Sequence, residues 1–96
     1  CKIYYPNIVN MVEGAVKNNE FKLVDNGCVL SSKLRIYDRW GNLVYNSNSG
    51  LEPWNGLYKG RPVEQGVYAF IFTYTALDED AEEFTGKLSG DVTILS

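Results

Sequence analysis

GVYAFIFTYTAL, residues 66–77, decides the fold. Val67, Ala69, Ile71, Thr73 and Thr75 share one face of an extended chain, and Tyr68, Phe70, Phe72 and Tyr74 share the other. A period of two marks a β-strand, and β-branched and aromatic side chains suit a pleated, half-buried surface. A strand apolar on both faces belongs at the centre of a sandwich. Val67, Ala69 and Ile71 are therefore expected in the core beside Leu34, Ile36, Val44, Val92 and Ile94, with Phe70 and Phe72 sheltered on the opposite face.

The segments on either side repeat the alternation. Residues 33–38 place Leu34 and Ile36 on one face and Lys33, Arg35 and Tyr37 on the other; residues 43–45 resume after Trp40-Gly41-Asn42. Residues 38–43 thus read as the tight bend of a β-hairpin. Residues 84–95 form the last strand, with Leu88, Val92 and Ile94 on one face and a kink expected at Ser89-Gly90. Residues 3–5 make a short first strand closed by Pro6, and residues 21–24 a second, ended by the turn signal Asp25-Asn26-Gly27. Residues 54–60, with Asn-Gly and Lys-Gly pairs, are expected to be mostly turns. Residues 9–19 hold Gly14 and several Asn, which discourage more than one helical turn. The expected fold is all-β: one domain over residues 1–96, an antiparallel β-sandwich of about seven strands, immunoglobulin-like.

Composition narrows the function. At 96 residues the chain can bury a real core with little stability to spare. The net charge of −3 and the scatter of its nine basic residues argue against nucleic acid, whose phosphates need clustered Lys and Arg. No apolar run approaches the ~20 residues that cross a bilayer, so stable membrane insertion is not expected. There is no initiator Met and no signal peptide, which fits a domain cut from a longer secreted protein. The chain contains no histidine, which removes the commonest general base and the Ser-His-Asp arrangement. Two cysteines alone make no zinc site. No catalytic, cofactor-binding or metal-binding set is expected.

Several candidates remain. Trp40, before Gly41, and Trp54, before Asn55-Gly56, suit either sugar-stacking platforms or rings that cover the ends of the core; the second reading is preferred for both. The acidic run at residues 78–83 lacks the spacing of an ordered calcium loop and reads as a solvated hairpin tip. Lys59-Gly60-Arg61 is a local basic spot without a phosphate cradle. Cys1 and Cys28 lie at the ends of the first two strands. They are either two buried thiols of a cytosolic domain or a disulfide, and a small Tyr-rich β-domain favours the disulfide.

Four blocks stand in order along the chain: Tyr5-Pro6-Asn7; LRIYDRWGNLVY at 34–45; WNGLYKGRPVEQGVYAF at 54–70; and GDVTIL at 90–95. Together they resemble the gliding-motility-associated C-terminal domain, the type B sorting domain of the type IX secretion system of Bacteroidota. The segment 8–21 departs from that family's usual acidic loop and keeps only Asn18-Asn19-Glu20-Phe21 of it. The resemblance implies a β-sandwich at the C-terminus of a large secreted protein. It implies a non-enzymatic address, read as cargo passes from the periplasm across the outer membrane to the surface or medium. Its partners would be type IX translocon components, including a PorP/SprF-like outer-membrane protein. The residues it points to for recognition are Arg39, Trp40, Gly41, Trp54, Asn55 and Gly56. The competing reading is a carbohydrate-binding or adhesive β-sandwich module of a cell-surface protein, which a coplanar row of exposed aromatics would favour.

Overall fold

A computed structural model describes residues 1–10 and 20–95, so the turn expected within residues 9–19 falls mostly outside the described residues. The described residues are all-β, with nine strands: β1 Ile3–Tyr4, β2 Ile8–Asn10, β3 Val24–Asp25, β4 Val29–Tyr37, β5 Leu43–Ser47, β6 Leu57–Tyr58, β7 Arg61–Pro62, β8 Gly66–Leu77 and β9 Glu83–Leu95. Five form one sheet in the order β2-β9-β8-β4-β5; β1-β3 and β6-β7 are separate two-stranded ribbons. The strands exceed the expected seven because irregular stretches pair as two-residue ribbons. Residues 54–60, expected as turns, contribute β6, and β7 follows them. The second strand expected at 21–24 contracts to β3, while Phe21 makes an isolated bridge to Trp54. The sheet is also not purely antiparallel: β2 runs parallel to β9, Ile8 opposite Thr93 and Asn10 opposite Leu95.

β8 is central, as its composition implies, and pairs with β9 from Gly66–Ile94 through to Leu77–Glu83 and with β4 on its other side. Its core face is the reverse of the expectation. Tyr68, Phe70, Phe72 and Ala76 are buried, whereas Val67 is 52% exposed, Ala69 is exposed and Ile71 is only partly covered. Both faces are apolar, so alternation alone does not choose between them. The choice follows from size: three large rings remove far more apolar surface from water than Val, Ala and Ile together. Leu34, Ile36, Val44, Val92 and Ile94 are buried as expected and join Phe70 and Phe72 in one cluster.

The second layer lies over this face. Phe21, Leu23 and Trp54 are fully buried in the cluster, with Ile3, Tyr5, Leu51 and Val63 packed against it. Phe21 and Trp54 exchange reciprocal backbone hydrogen bonds of 2.8 Å, which join two sequence-distant loops into that layer. Cys1 and Cys28 are disulfide-linked beside the β1-β3 ribbon, with Cα atoms 5.4 Å apart.

β9 runs as one continuous strand through Ser89-Gly90, where a kink was expected, and its register against β8 does not shift there. Gly90 lies opposite Phe70, and a Cβ on it would come within 3.1 Å of both the Phe70 ring and the Tyr5 hydroxyl. The glycine makes room for an aromatic side chain to rest on the backbone. Tyr5 and Phe70 meet edge to face above it, with centroids 4.8 Å apart.

Candidate functional site

The β4–β5 hairpin carries the first block of candidate residues. Asp38 N–H donates to the Asn42 carbonyl at 2.9 Å and Gly41 N–H to the Asp38 carbonyl at 3.1 Å. Gly41 is left-handed at φ 84°, giving the three-residue hairpin loop that ends in a glycine bulge. One carboxylate oxygen of Asp38 accepts from the N–H groups of Trp40 at 2.9 Å and Asn42 at 2.8 Å; the other accepts from the Asn42 side-chain amide at 3.1 Å. Desolvation is the largest single influence on the Asp38 carboxyl and pushes it up. The Asn42 and Trp40 donors and the nearby Arg39 charge outweigh it and hold the group below its ordinary value.

A loop of three residues has no room to fold its side chains back onto the sheet. Trp40 is 66% exposed, contrary to the expectation that its ring covers the end of the core. The Arg39 guanidinium stacks over that ring, 4.2 Å from its centroid, in a cation–π contact.

Trp54 behaves in the opposite way. It is 1% exposed, donates its indole N–H to the Leu57 carbonyl at 3.1 Å, and lies between the rings of Tyr45 and Tyr68 at 5.8 and 6.2 Å. Asn55 is exposed, and its side-chain oxygen accepts from Leu57 N–H at 3.2 Å. Gly56 is buried and left-handed at φ 79°, and its carbonyl receives Val63 N–H at 2.9 Å. The WNG block therefore builds the second layer. Of the six recognition candidates, Arg39 and Trp40 present exposed side chains at the hairpin tip, and Trp54 and Gly56 are internal.

A groove of about 630 Å³ lies between this tip and the β6–β7 ribbon. Trp40, Val44, Tyr58, Pro62 and Val63 give it apolar lining, and the cations Lys59 and Arg61 line it together with the carboxylates Asp38 and Glu64. The Tyr68 hydroxyl donates to the Glu64 carbonyl at 2.6 Å, four residues upstream. This is the tyrosine-corner device that ties a loop to the start of a strand in β-sandwiches. Burial raises the Tyr68 phenol above its ordinary value, with the Asp38 and Glu64 charges adding to the shift and Arg39 opposing it. The Lys59 ammonium sits 5.3 Å over the Tyr58 ring. The sequence marked Lys59 and Arg61 only as a basic spot; the usable signal is the Lys-Gly pair flanked by Tyr58 and Arg61, a two-residue hairpin loop.

The acidic run folds as a second copy of the first turn. Asp78 N–H donates to the Glu82 carbonyl at 2.9 Å, and the Asp78 carboxylate accepts from Asp80 and Glu82 N–H groups at 2.8 and 2.9 Å. Asp78 thus spends one oxygen on its own backbone. Among the described residues no cluster of three or more His, Cys, Asp and Glu is placed to hold a metal.

The exposed tip, the buried WNG corner and the sheet between them fall inside one family match. Residues 3–89 match the family model described as CHU_C Type IX secretion signal domain. The chain belongs to that family. No curated protein and no solved structure gave a match. A type IX secretion signal domain serves targeting: it acts with the secretion machinery, on a protein exported across the outer membrane to the cell surface or medium. In this member the RWG block forms an exposed tip and the WNG block a structural corner.

Proposed function

We propose that this type IX secretion signal domain is a non-catalytic C-terminal address, which carries the protein attached to it from the periplasm through the type IX translocon. The 96 residues act as one sorting unit of a longer secreted protein. Translocon components read it, with a PorP/SprF-like outer-membrane protein as the cognate receptor, and Arg39 and Trp40 form the part that is read. The observation that carries this reading is the Trp40 ring, held 66% exposed on a rigid turn and stacked under Arg39 while the core takes nothing from it. A large exposed aromatic on a well-fixed loop suits protein recognition, where Trp and Arg are enriched among the strongest contacts. Gly41 supports it by shaping the turn; Trp54, Asn55 and Gly56 support it by holding the second layer in place.

The test fuses the domain behind a periplasm-directed passenger in a host with a type IX system. Surface or medium delivery that needs both the domain and the translocon supports the reading; equal delivery in a translocon-null host sinks it. Arg39→Ala and Trp40→Ala are expected to reduce delivery while leaving the melting curve in place.

The second reading is a carbohydrate-binding or adhesive module, favoured by the exposed rings of Trp40 and Tyr58 on the walls of one groove. It ranks behind the first because Arg39 and Lys59 lie over those two rings and take up stacking surface. Tight glycan binding by the isolated chain, together with equal passenger delivery in a translocon-null host, would reverse that order.

A further inference from the structure

The face of the sheet turned away from the capping layer carries a second polar surface. There an open trough of about 540 Å³ crosses β4, β8 and β9. The strand registers set its two walls. One cross-strand row is Lys33, Thr73 and Lys87, and the next is Ser31, Thr75 and Thr85.

The charge of the trough has one sign. Lys33 and Lys87 line it and no Asp or Glu does, in a chain whose net charge is −3. On the same face of β9, Glu83 stands one rung beyond Thr85, and Asp91 two rungs beyond Lys87. Among the described residues, neither lysine ammonium and none of the hydroxyls in the two rows has a hydrogen bond or ion pair within the chain. These donors are therefore free for a ligand.

The base of the trough is fixed from beneath. Between the rows, the Tyr74 ring lies against Gly86 on the opposite face, where a Cβ would collide with it. That ring also packs on Phe72 and Phe84, with centroids 5.5 and 6.2 Å away. A register shift in β4 between Val29 and Ser31 brings Ser31 opposite Thr75. Such irregularities re-aim side chains beside binding sites.

We propose that this trough binds a linear acidic saccharide lying across the strands. Its acid groups pair with Lys33 and Lys87, and its hydroxyls bond to Ser31, Thr75 and Thr85. With one strand between them, the two lysines have Cα atoms about 10 Å apart, so they reach acid groups on separate sugar units.

The lining selects the class of ligand. A protein partner calls for an aromatic-rich, apolar centre, and the trough has none, because Tyr74 turns its ring to the other face. Single-stranded nucleic acid calls for stacking aromatics beside the cations. A polyhydroxylated chain matches rows of hydroxyls, and the threonine methyls and lysine stems give the C–H faces of sugar rings a surface to rest on. Two uncompensated ammonium groups favour an acidic saccharide over a neutral one. The site is independent of the export reading: a domain that holds a saccharide here still travels with its passenger.

The test titrates the 96-residue chain with a short oligogalacturonate, following the backbone amides of Thr73, Thr75 and Thr85 by NMR. The saccharide is expected to shift those amides and to bind less well as salt is added. Affinity should fall about tenfold in Lys33→Gln with Lys87→Gln, and again about tenfold in Thr75→Val with Thr85→Val, which keeps the shape and removes the hydroxyls. Lys33→Arg with Lys87→Arg should bind normally. Lys59→Gln with Arg61→Gln removes as much charge elsewhere and should also bind normally. All four variants should melt with the unaltered chain, since these side chains bond nothing else in the fold. No shift at millimolar saccharide overturns the proposal, as does equal binding of a neutral oligogalactose. Full affinity in the glutamine or valine pair, or an equal loss in the Lys59-Arg61 pair, overturns it too. Capture by anionic phospholipid vesicles without a response to the saccharide overturns it in favour of a lipid surface. Passenger delivery is not part of the readout, so failure of the export reading and failure of this one are told apart.

Discussion

Trp40 and Trp54 both precede a turn glycine or Asn-Gly, yet one is exposed and the other sealed in the core. Trp54→Ala is expected to cost about 3–5 kcal/mol in denaturant melts, because it opens a cavity between Tyr45 and Tyr68 and orphans the Leu57 contact. Trp40→Ala should stay within about 0.5 kcal/mol of the unaltered chain. A large loss at Trp40 would mean its ring is structural after all. The difference was legible in part. Asp38 followed by Gly41-Asn42 is the signature of a three-residue loop, which projects its residues from the sheet. Nothing local announces that Trp54 meets Phe21, since that bridge joins segments far apart in sequence. Tyr68 offers a second test at this scale. Tyr68→Phe removes the bond to the Glu64 carbonyl and should cost about 1 kcal/mol. The Tyr68 phenol is raised in the folded state, so its contribution is complete below the ordinary value of 10.0 and fades as pH climbs through the higher folded value. Alkaline melts of the Phe variant should lack that loss.

The two hairpin tips, at Asp38 and Asp78, show one element built from unlike sequences. Each uses an Asp carboxylate to gather N–H groups two and four residues on, and each turns through a left-handed fourth residue. In the first turn that residue is Gly41; in the second it is Ala81, at φ 60°. An alanine there carries a strain of about 1 kcal/mol that glycine avoids. Ala81→Gly is therefore expected to raise stability by up to about 1 kcal/mol, read as a higher urea midpoint with an unchanged slope. A lower midpoint would show that the extra freedom of glycine in the unfolded chain dominates. At this scale the sequence was informative about where strands lie and less so about their faces. β4, β5, β8 and β9 follow their alternation closely, while the two-sided apolar pattern of β8 concealed its inward face. Gly90 looked like a break because its reason, space for Phe70 and Tyr5, lies on distant parts of the chain.

The whole molecule is one full sheet capped by a patchwork layer. That layer has few ladder hydrogen bonds, and the disulfide between Cys1 and Cys28 ties down one of its ribbons. Closing a loop of sequence separation 27 stabilises by about 3–4 kcal/mol on the chain-entropy model. Cys28→Ser should lower stability by about that amount, and reduction of the unaltered chain should reproduce the loss. Two free thiols by mass spectrometry in protein from the periplasm or medium would remove this contribution altogether. The sandwich class was legible from period-two alternation across most of the chain. The capping layer was not, because β1, β3, β6 and β7 are two residues each and too short to carry a period.

The same crosslink governs how the domain bears a pull. Suppose tension is applied between Cys1 and the end of β9. With the disulfide closed, the load passes from Cys1 directly to Cys28 and into the start of β4, so residues 2–27 carry none of it. β4 and β9 both run antiparallel to β8, with Val29 at one end of the sheet and Ile94 at the other. Their ladders must then slide lengthwise and break many bonds together. With the crosslink open, the load reaches the two-residue β1–β3 ribbon first and then β2, whose joint of Ile8, Val9 and Asn10 against β9 is also short. Oxidation thus converts a domain that would shed its edge strand under modest force into one that yields only when its central sheet shears.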